Sequence, residues 1–70
     1  MPKFYGYVNP KDVSLDASKV LKYLNKNKIY PRSVICDNAK KGVLIEFIDV
    51  LSDDSKKKLD EVMERFFNEQ

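Results

Sequence analysis

Two apolar runs separated by a turn-like segment constrain the fold of this 70-residue chain more than any other feature. The runs are residues 34–36 and 43–48, and the segment between them, residues 37–42, is rich in Asp, Asn, Lys and Gly. Apolar runs joined by turn-forming residues are typical of a β-hairpin. An amphipathic helix pattern lies on each side of the hairpin, and a short aromatic strand comes before them. The sequence therefore predicts the element order βαββα.

The first strand is predicted at residues 4–8, where aromatic residues dominate. Successive side chains of a strand point to opposite faces. Phe4 and Val8 therefore belong to one face, and Tyr5 and Tyr7 to the other. Both sets are apolar or aromatic.

A first amphipathic helix is predicted after this strand. Ser14 is the preferred N-cap, and Asn9 followed by Pro10 is the alternative start. The apolar periodicity stops within residues 25–28, and Pro31 disfavours helical geometry just before it. The side chains expected on the buried face recur at helical spacing: Val13, Ala17, Val20, Leu21 and Leu24.

The last helix carries clearer start signals. Ser52 is its expected N-cap, and Asp53 and Asp54 fall in the first turn, where the helix dipole favours negative charge. Its buried face is expected to comprise Leu59, Val62, Met63, Phe66 and Phe67.

The length of the hairpin loop determines which side chains share a face. We expect an even loop of four residues, with Gly42 in a left-handed conformation. One face should then carry Val34, Cys36, Val43, Ile45 and Phe47. The opposite face should carry Ser33, Ile35, Leu44, Glu46 and Ile48.

The connections favour one sheet arrangement. A helix joins the first and second strands, and a right-handed crossover places them parallel. The third strand, predicted at residues 43–50, is the longest and most apolar and belongs in the centre. We expect a single α+β domain over residues 1–70, with a three-stranded mixed sheet of order 1-3-2 and both helices on one face. This arrangement resembles a ferredoxin-like fold truncated by its last strand.

The composition carries no catalytic signature. The chain has no histidine and one cysteine, Cys36, which lies in an apolar run and is expected in the core. No cofactor, no metal and no enzymatic activity are therefore expected. A free thiol is typical of a reducing compartment, and no segment approaches the ~20 apolar residues of a membrane span. A cytoplasmic protein without membrane contact is predicted.

An interaction surface is the first functional hypothesis. Without a fourth strand, the first strand is an uncharged edge that another chain could extend. The sheet face without helices is expected to expose apolar and aromatic side chains. The sequence therefore predicts a protein-interaction module, most simply a homodimer. Its expected interface residues are Phe4, Tyr5, Tyr7, Ile35, Leu44 and Ile48.

Nucleic-acid binding is the alternative hypothesis. Residues 17–41 contain seven basic residues and one acidic residue, giving this segment a charge of +6. Lysines on the outer face of the first helix could neutralise phosphates, although a solvated helix face is the favoured explanation because lysine ordinarily points outward. The residues expected to contact nucleic acid in this alternative are Lys19, Lys22, Lys26, Lys28 and Arg32.

Overall fold

The computed structural model describes residues 3–11 and 13–69, and it has the predicted order βαββα. Its three strands and two helices are β1 (Lys3–Val8), α1 (Ala17–Lys26), β2 (Ser33–Asp37), β3 (Gly42–Phe47) and α2 (Asp53–Asn68).

The sheet has the predicted strand order, β1-β3-β2, which confirms the α+β arrangement. Both neighbouring pairs are antiparallel, so the sheet is antiparallel rather than mixed. The first and second strands do run in the same direction, as the crossover requires, but β3 separates them and no parallel pair forms.

The side chains of the hairpin lie on the predicted faces of the sheet. Val34 pairs with Ile45 and Cys36 pairs with Val43, so the expected side chains share a face. The loop between β2 and β3 spans residues 38–41. The left-handed residue is Lys41, with φ of 56°, and not Gly42 as expected. Gly42 instead belongs to β3, opposite Asp37.

The third strand ends at Phe47, earlier than the predicted residue 50. The Arg32 N–H donates to the carbonyl of Glu46, the residue opposite Ser33, at 2.7 Å, and Pro31 comes next in that chain segment. Because proline has no N–H to donate, the pairing cannot continue there.

The first helix begins later than both predicted starts. Asp16 is the N-cap, and its carboxylate accepts a hydrogen bond from the Ser18 N–H at 2.9 Å. The preferred Ser14 and the alternative Asn9 are therefore both wrong as N-caps. Asn9 is instead buried, and its amide donates to the Val13 carbonyl at 2.7 Å.

A long-range contact explains the late start. The Asn38 side chain accepts from the Leu15 N–H at 2.8 Å and donates to the Leu15 carbonyl at 3.0 Å. These two bonds occupy the Leu15 backbone, and its side chain is buried. Val13, which was expected on the buried face, is 53% exposed. Leu15 takes its place in the core.

The core lies between one face of the sheet and the two helices. It contains the inward side chains of β3, and the predicted buried face of α2 is confirmed. The buried hydrophobic residues are Leu15, Val20, Leu24, Val43, Ile45, Phe47, Leu59, Val62, Met63, Phe66 and Phe67.

Candidate interaction surface

The register of β1 contradicts the prediction for its two tyrosines. Tyr5 pairs with Ile45 and Tyr7 pairs with Val43, so both tyrosines lie on the helix-covered face. Their expected position on the helix-free face is therefore wrong. Phe4 and Val8 occupy that face instead.

Each tyrosine makes contacts on the helix-covered face that its hydroxyl group allows. The Tyr5 ring meets the Phe47 ring edge-on at 5.8 Å, and its hydroxyl accepts from the Leu51 N–H at 2.8 Å. The Tyr7 hydroxyl donates to the Asp60 carboxylate at 2.7 Å. A tyrosine can bury its ring and still satisfy its hydroxyl. Phe4 and Val8 have no such polar group to place.

A small polar cluster joins this side of β1 to α2. Lys56 Nζ lies 2.7 and 2.9 Å from the two carboxylate oxygens of Asp60, and 5.8 Å from the ring centroids of Tyr5 and Tyr7. Hydrogen bonds from Lys56 and then Tyr7 lower the pKa of the Asp60 carboxyl. Burial, followed by the bond to Asp60, raises the pKa of the Tyr7 hydroxyl.

We expect Asp60→Asn to reduce the loss of stability on acidification. Because the pKa of Asp60 is lower in the folded state, its carboxylate stabilises the fold above its unfolded pKa of about 3.9. That contribution is lost as the pH falls through the folded pKa. Asp60 is half-exposed, so the effect should be below about 1 kcal/mol. Urea unfolding midpoints between pH 6 and pH 2 measure it. Glu61→Gln is the control, and an equal change in both variants would contradict the prediction.

The helix-free face exposes a contiguous set of apolar side chains. Leu44 is central, between Gly6 of β1 and Ile35 of β2 in the register. Gly6 has no side chain, and it lines a groove of about 420 Å³ together with Val8, Ile35 and Leu44. Glu46 also lies on this face, where its carboxylate accepts from the Ser33 hydroxyl at 2.8 Å. The exposed apolar side chains are Phe4, Val8, Ile35, Leu44 and Ile48.

The free edge of β1 has a defined set of backbone groups. The Asn9 N–H donates to the Lys41 carbonyl at 2.7 Å, in line with the β1–β3 register. Backbone groups of a strand alternate between its two neighbours, so the odd residues of β1 bond to β3. The N–H and C=O groups of Phe4, Gly6 and Val8 therefore point away from the three-stranded sheet. The same three residues lie on the helix-free face.

The basic residues of the alternative hypothesis fall into two groups. All five are exposed. Lys19, Lys22 and Lys26 belong to α1, and their role in binding stays a prediction. Lys28 and Arg32 follow the helix and line two adjoining clefts that share Tyr30. We call these two clefts the Tyr30 groove.

The end of α1 positions this groove. The Ile29 N–H donates to the Leu24 carbonyl at 2.9 Å, and the Lys28 N–H donates to the Asn25 carbonyl at 3.0 Å. These two bonds form a Schellman motif after the C-cap Asn27. Lys28 occupies its left-handed position with φ of 64°, where glycine is usual. The chain therefore turns sharply at Lys28 and leads outward to Tyr30.

Cys36 lies on the helix-covered face, half-buried against the core. Burial raises the pKa of its thiol. Within residues 3–11 and 13–69, no group of three His, Cys, Asp or Glu side chains could hold a metal ion. In the same ranges, no helix has the length and apolar character needed to cross a membrane.

Comparison of the chain with protein-family models, curated proteins and solved structures finds no match.

Proposed function

We propose that this chain is a non-catalytic protein-interaction module that forms a homodimer through β1 and the helix-free sheet face. One observation carries the proposal. At Phe4, Gly6 and Val8, outward backbone groups coincide with positions on the exposed apolar face. A strand added at this edge gains main-chain hydrogen bonds and covers apolar side chains together.

The sequence of β1 is compatible with pairing to its own copy. In an antiparallel pair centred on Gly6, the two glycines lie opposite each other on a two-fold axis. Phe4 of one copy then lies opposite Val8 of the other, and Tyr5 opposite Tyr7. Residues 4–8 carry no charge, so no like charges meet in the pair.

The other edge of the sheet suits a partner less well. β2 ends in Asp37, which would bring a carboxylate to the pairing edge. Helix α1 also packs against β2. The outward backbone groups of β2 belong to Val34 and Cys36, whose side chains lie on the helix-covered face. Of the two edges of the described sheet, β1 is the one at which outward hydrogen-bonding groups and exposed apolar side chains belong to the same residues.

The size of a stable interface shows why the dimer needs both the free edge of β1 and the apolar side chains of the helix-free face. A stable interface takes about 800 Å² from each partner. That is about one-sixth of the 4891 Å² surface of the described residues. Pairing of a six-residue strand is a small part of such an area. Contacts between Phe4, Val8 and neighbouring side chains across the new strand pair must supply much of the rest. The free Cys36 thiol supports placing this module in the reducing cytoplasm.

Light scattering at micromolar concentrations tests the proposal. We expect a concentration-dependent dimer for the native chain. Phe4→Lys should weaken it at least tenfold, because a charge at the edge opposes strand pairing. Val13→Lys is the matched control, since Val13 and Phe4 are 53% and 51% exposed and Val13 lies outside the sheet. A native chain that stays monomeric at ~100 μM, the weak end of specific association, contradicts the proposal.

A further inference from the structure

A second surface lies at the far end of the sheet from the hairpin loop. There the α1–β2 loop faces the β3–α2 loop, and the Tyr30 groove runs between them. Its two clefts measure about 210 and 370 Å³ and share Tyr30, Phe47 and Leu51. Tyr30 is 70% exposed, whereas Phe47, which lines the same two clefts, is buried.

We propose that the Tyr30 groove binds single-stranded nucleic acid, with a base stacked on Tyr30 and flanking phosphates held by Lys28, Lys58 and Arg32. This activity does not use the edge of β1, because no described residue of β1 lines the groove. The two surfaces adjoin at Ile48, which lines the larger cleft.

The charges around the groove favour an anion. Lys28 and Lys58 line the smaller cleft, which has no acidic residue in its lining. Arg32 lines the larger cleft, together with one carboxylate, Asp49. Cations thus stand on both sides of Tyr30, as they must if phosphates flank a stacked base.

The aromatic and apolar surfaces favour a nucleic acid over an acidic peptide. An exposed tyrosine ring offers a π-face to any base, and stacking of this kind is independent of sequence. The floor is held in place, because the Phe47 ring contacts Tyr5 edge-on and the Leu51 N–H donates to the Tyr5 hydroxyl. An acidic peptide would use the lysines but would leave the tyrosine face without a planar partner.

Fluorescence anisotropy with labelled oligo-dT and oligo-U tests the proposal at ~50 and ~200 mM salt. We expect salt-sensitive binding. Lys28→Gly should lower the slope of log affinity against log salt by about 0.7, because one phosphate contact is lost. Tyr30→Ala should weaken binding about 5- to 100-fold without changing that slope, and Tyr30→Phe should retain most of the affinity.

The structure supplies a matched charge control. Lys28 and Lys41 are both left-handed, with φ of 64° and 56°, so glycine fits the backbone at either position. Lys41 lies in the hairpin loop, at the opposite end of β3. Lys41→Gly removes the same charge and should leave the salt slope unchanged. Lys28→Gly should not lower the urea midpoint, so lost binding cannot be attributed to unfolding.

Three results would overturn the proposal. One is no oligonucleotide binding at ~50 mM salt, where phosphate contacts are strongest. Another is an equal loss for Lys28→Gly and Lys41→Gly, which would indicate attraction to net charge alone. The third is tighter binding of a poly-glutamate peptide than of either oligonucleotide, which would assign the groove to an acidic peptide.

Discussion

Gly6→Cys, in a chain whose native thiol is removed by Cys36→Ser, will form a disulfide-linked dimer under mild oxidation. A Cβ at position 6 meets only Leu44 Cδ1, at 3.8 Å, which is ordinary van der Waals contact. In the proposed pairing the two Gly6 residues form a hydrogen-bonded pair, with Cα atoms about 5.5 Å apart. This distance lies within the range of disulfide bonds, about 4.4 to 6.8 Å. Non-reducing electrophoresis measures the linked fraction, which should far exceed that of the same Cys36→Ser chain without Gly6→Cys.

Two further variants test the register. In the proposed pairing, Phe4 of each copy lies opposite Val8 of the other copy. The two Phe4 residues are therefore separated by four residue positions along the strands. That offset is about 13 Å, which is too far for a disulfide. Phe4→Cys alone should therefore stay unlinked, whereas Phe4→Cys with Val8→Cys should link. Faster linking of the single Phe4 variant than of Gly6→Cys would contradict the register. Light scattering then shows whether the dimer itself persists.

The fold was predictable where local pattern and burial agree. The faces of the hairpin side chains followed from the even length of the four-residue loop. Val43, Ile45 and Phe47, which that length places on one face of β3, are buried. Helix α2 was predictable because Ser52 and the aspartates of its first turn mark its start. In both elements, short-range signals agree with the tertiary structure.

Which face of β1 packs against the helices could not be predicted in the same way. Phe4 with Val8, and Tyr5 with Tyr7, are both acceptable buried sets by composition. The choice depends on Asp60 and on the Leu51 N–H, which lie 53 and 46 residues away along the chain. Of the expected interface residues, Phe4, Ile35, Leu44 and Ile48 lie exposed at the helix-free face or its end, and Tyr5 and Tyr7 do not.

Two other features depend on contacts that the sequence pattern does not contain. The start of α1 is delayed because Asn38 binds the Leu15 backbone across 23 residues. The Tyr30 groove forms because Lys28 takes the left-handed position of the helix C-terminus, which sequence patterns assign to glycine. Tyr30 before Pro31 was the available signal for the groove. The residue before a proline is restricted to extended backbone geometry. An aromatic side chain at such a position, between polar or basic segments, has few apolar neighbours to cover it.

Replacing Ile45 by alanine should bring the fold close to unfolding. Ile45 is fully buried at the centre of β3, between β1 and β2, and belongs to the same buried cluster as side chains of both helices. Removing such a side chain costs about 2 to 5 kcal/mol, because apolar contacts are lost and a cavity remains. A chain of 70 residues has a total stability of only about 4 to 10 kcal/mol. Urea unfolding should show a large fall in the midpoint or no folded baseline.

The matched control for this change is Ile35→Ala, on the opposite face of the same sheet. Ile35 pairs with Leu44 and is 53% exposed, so its truncation removes much less buried surface. Its cost should be below about 1 kcal/mol when measured at a concentration where the chain is monomeric. Equal losses in the two variants would contradict the assignment of the helix-covered face. A small loss for Ile35→Ala would indicate that the apolar side chains of the helix-free face contribute little to folding. These side chains would then be available to contact a partner.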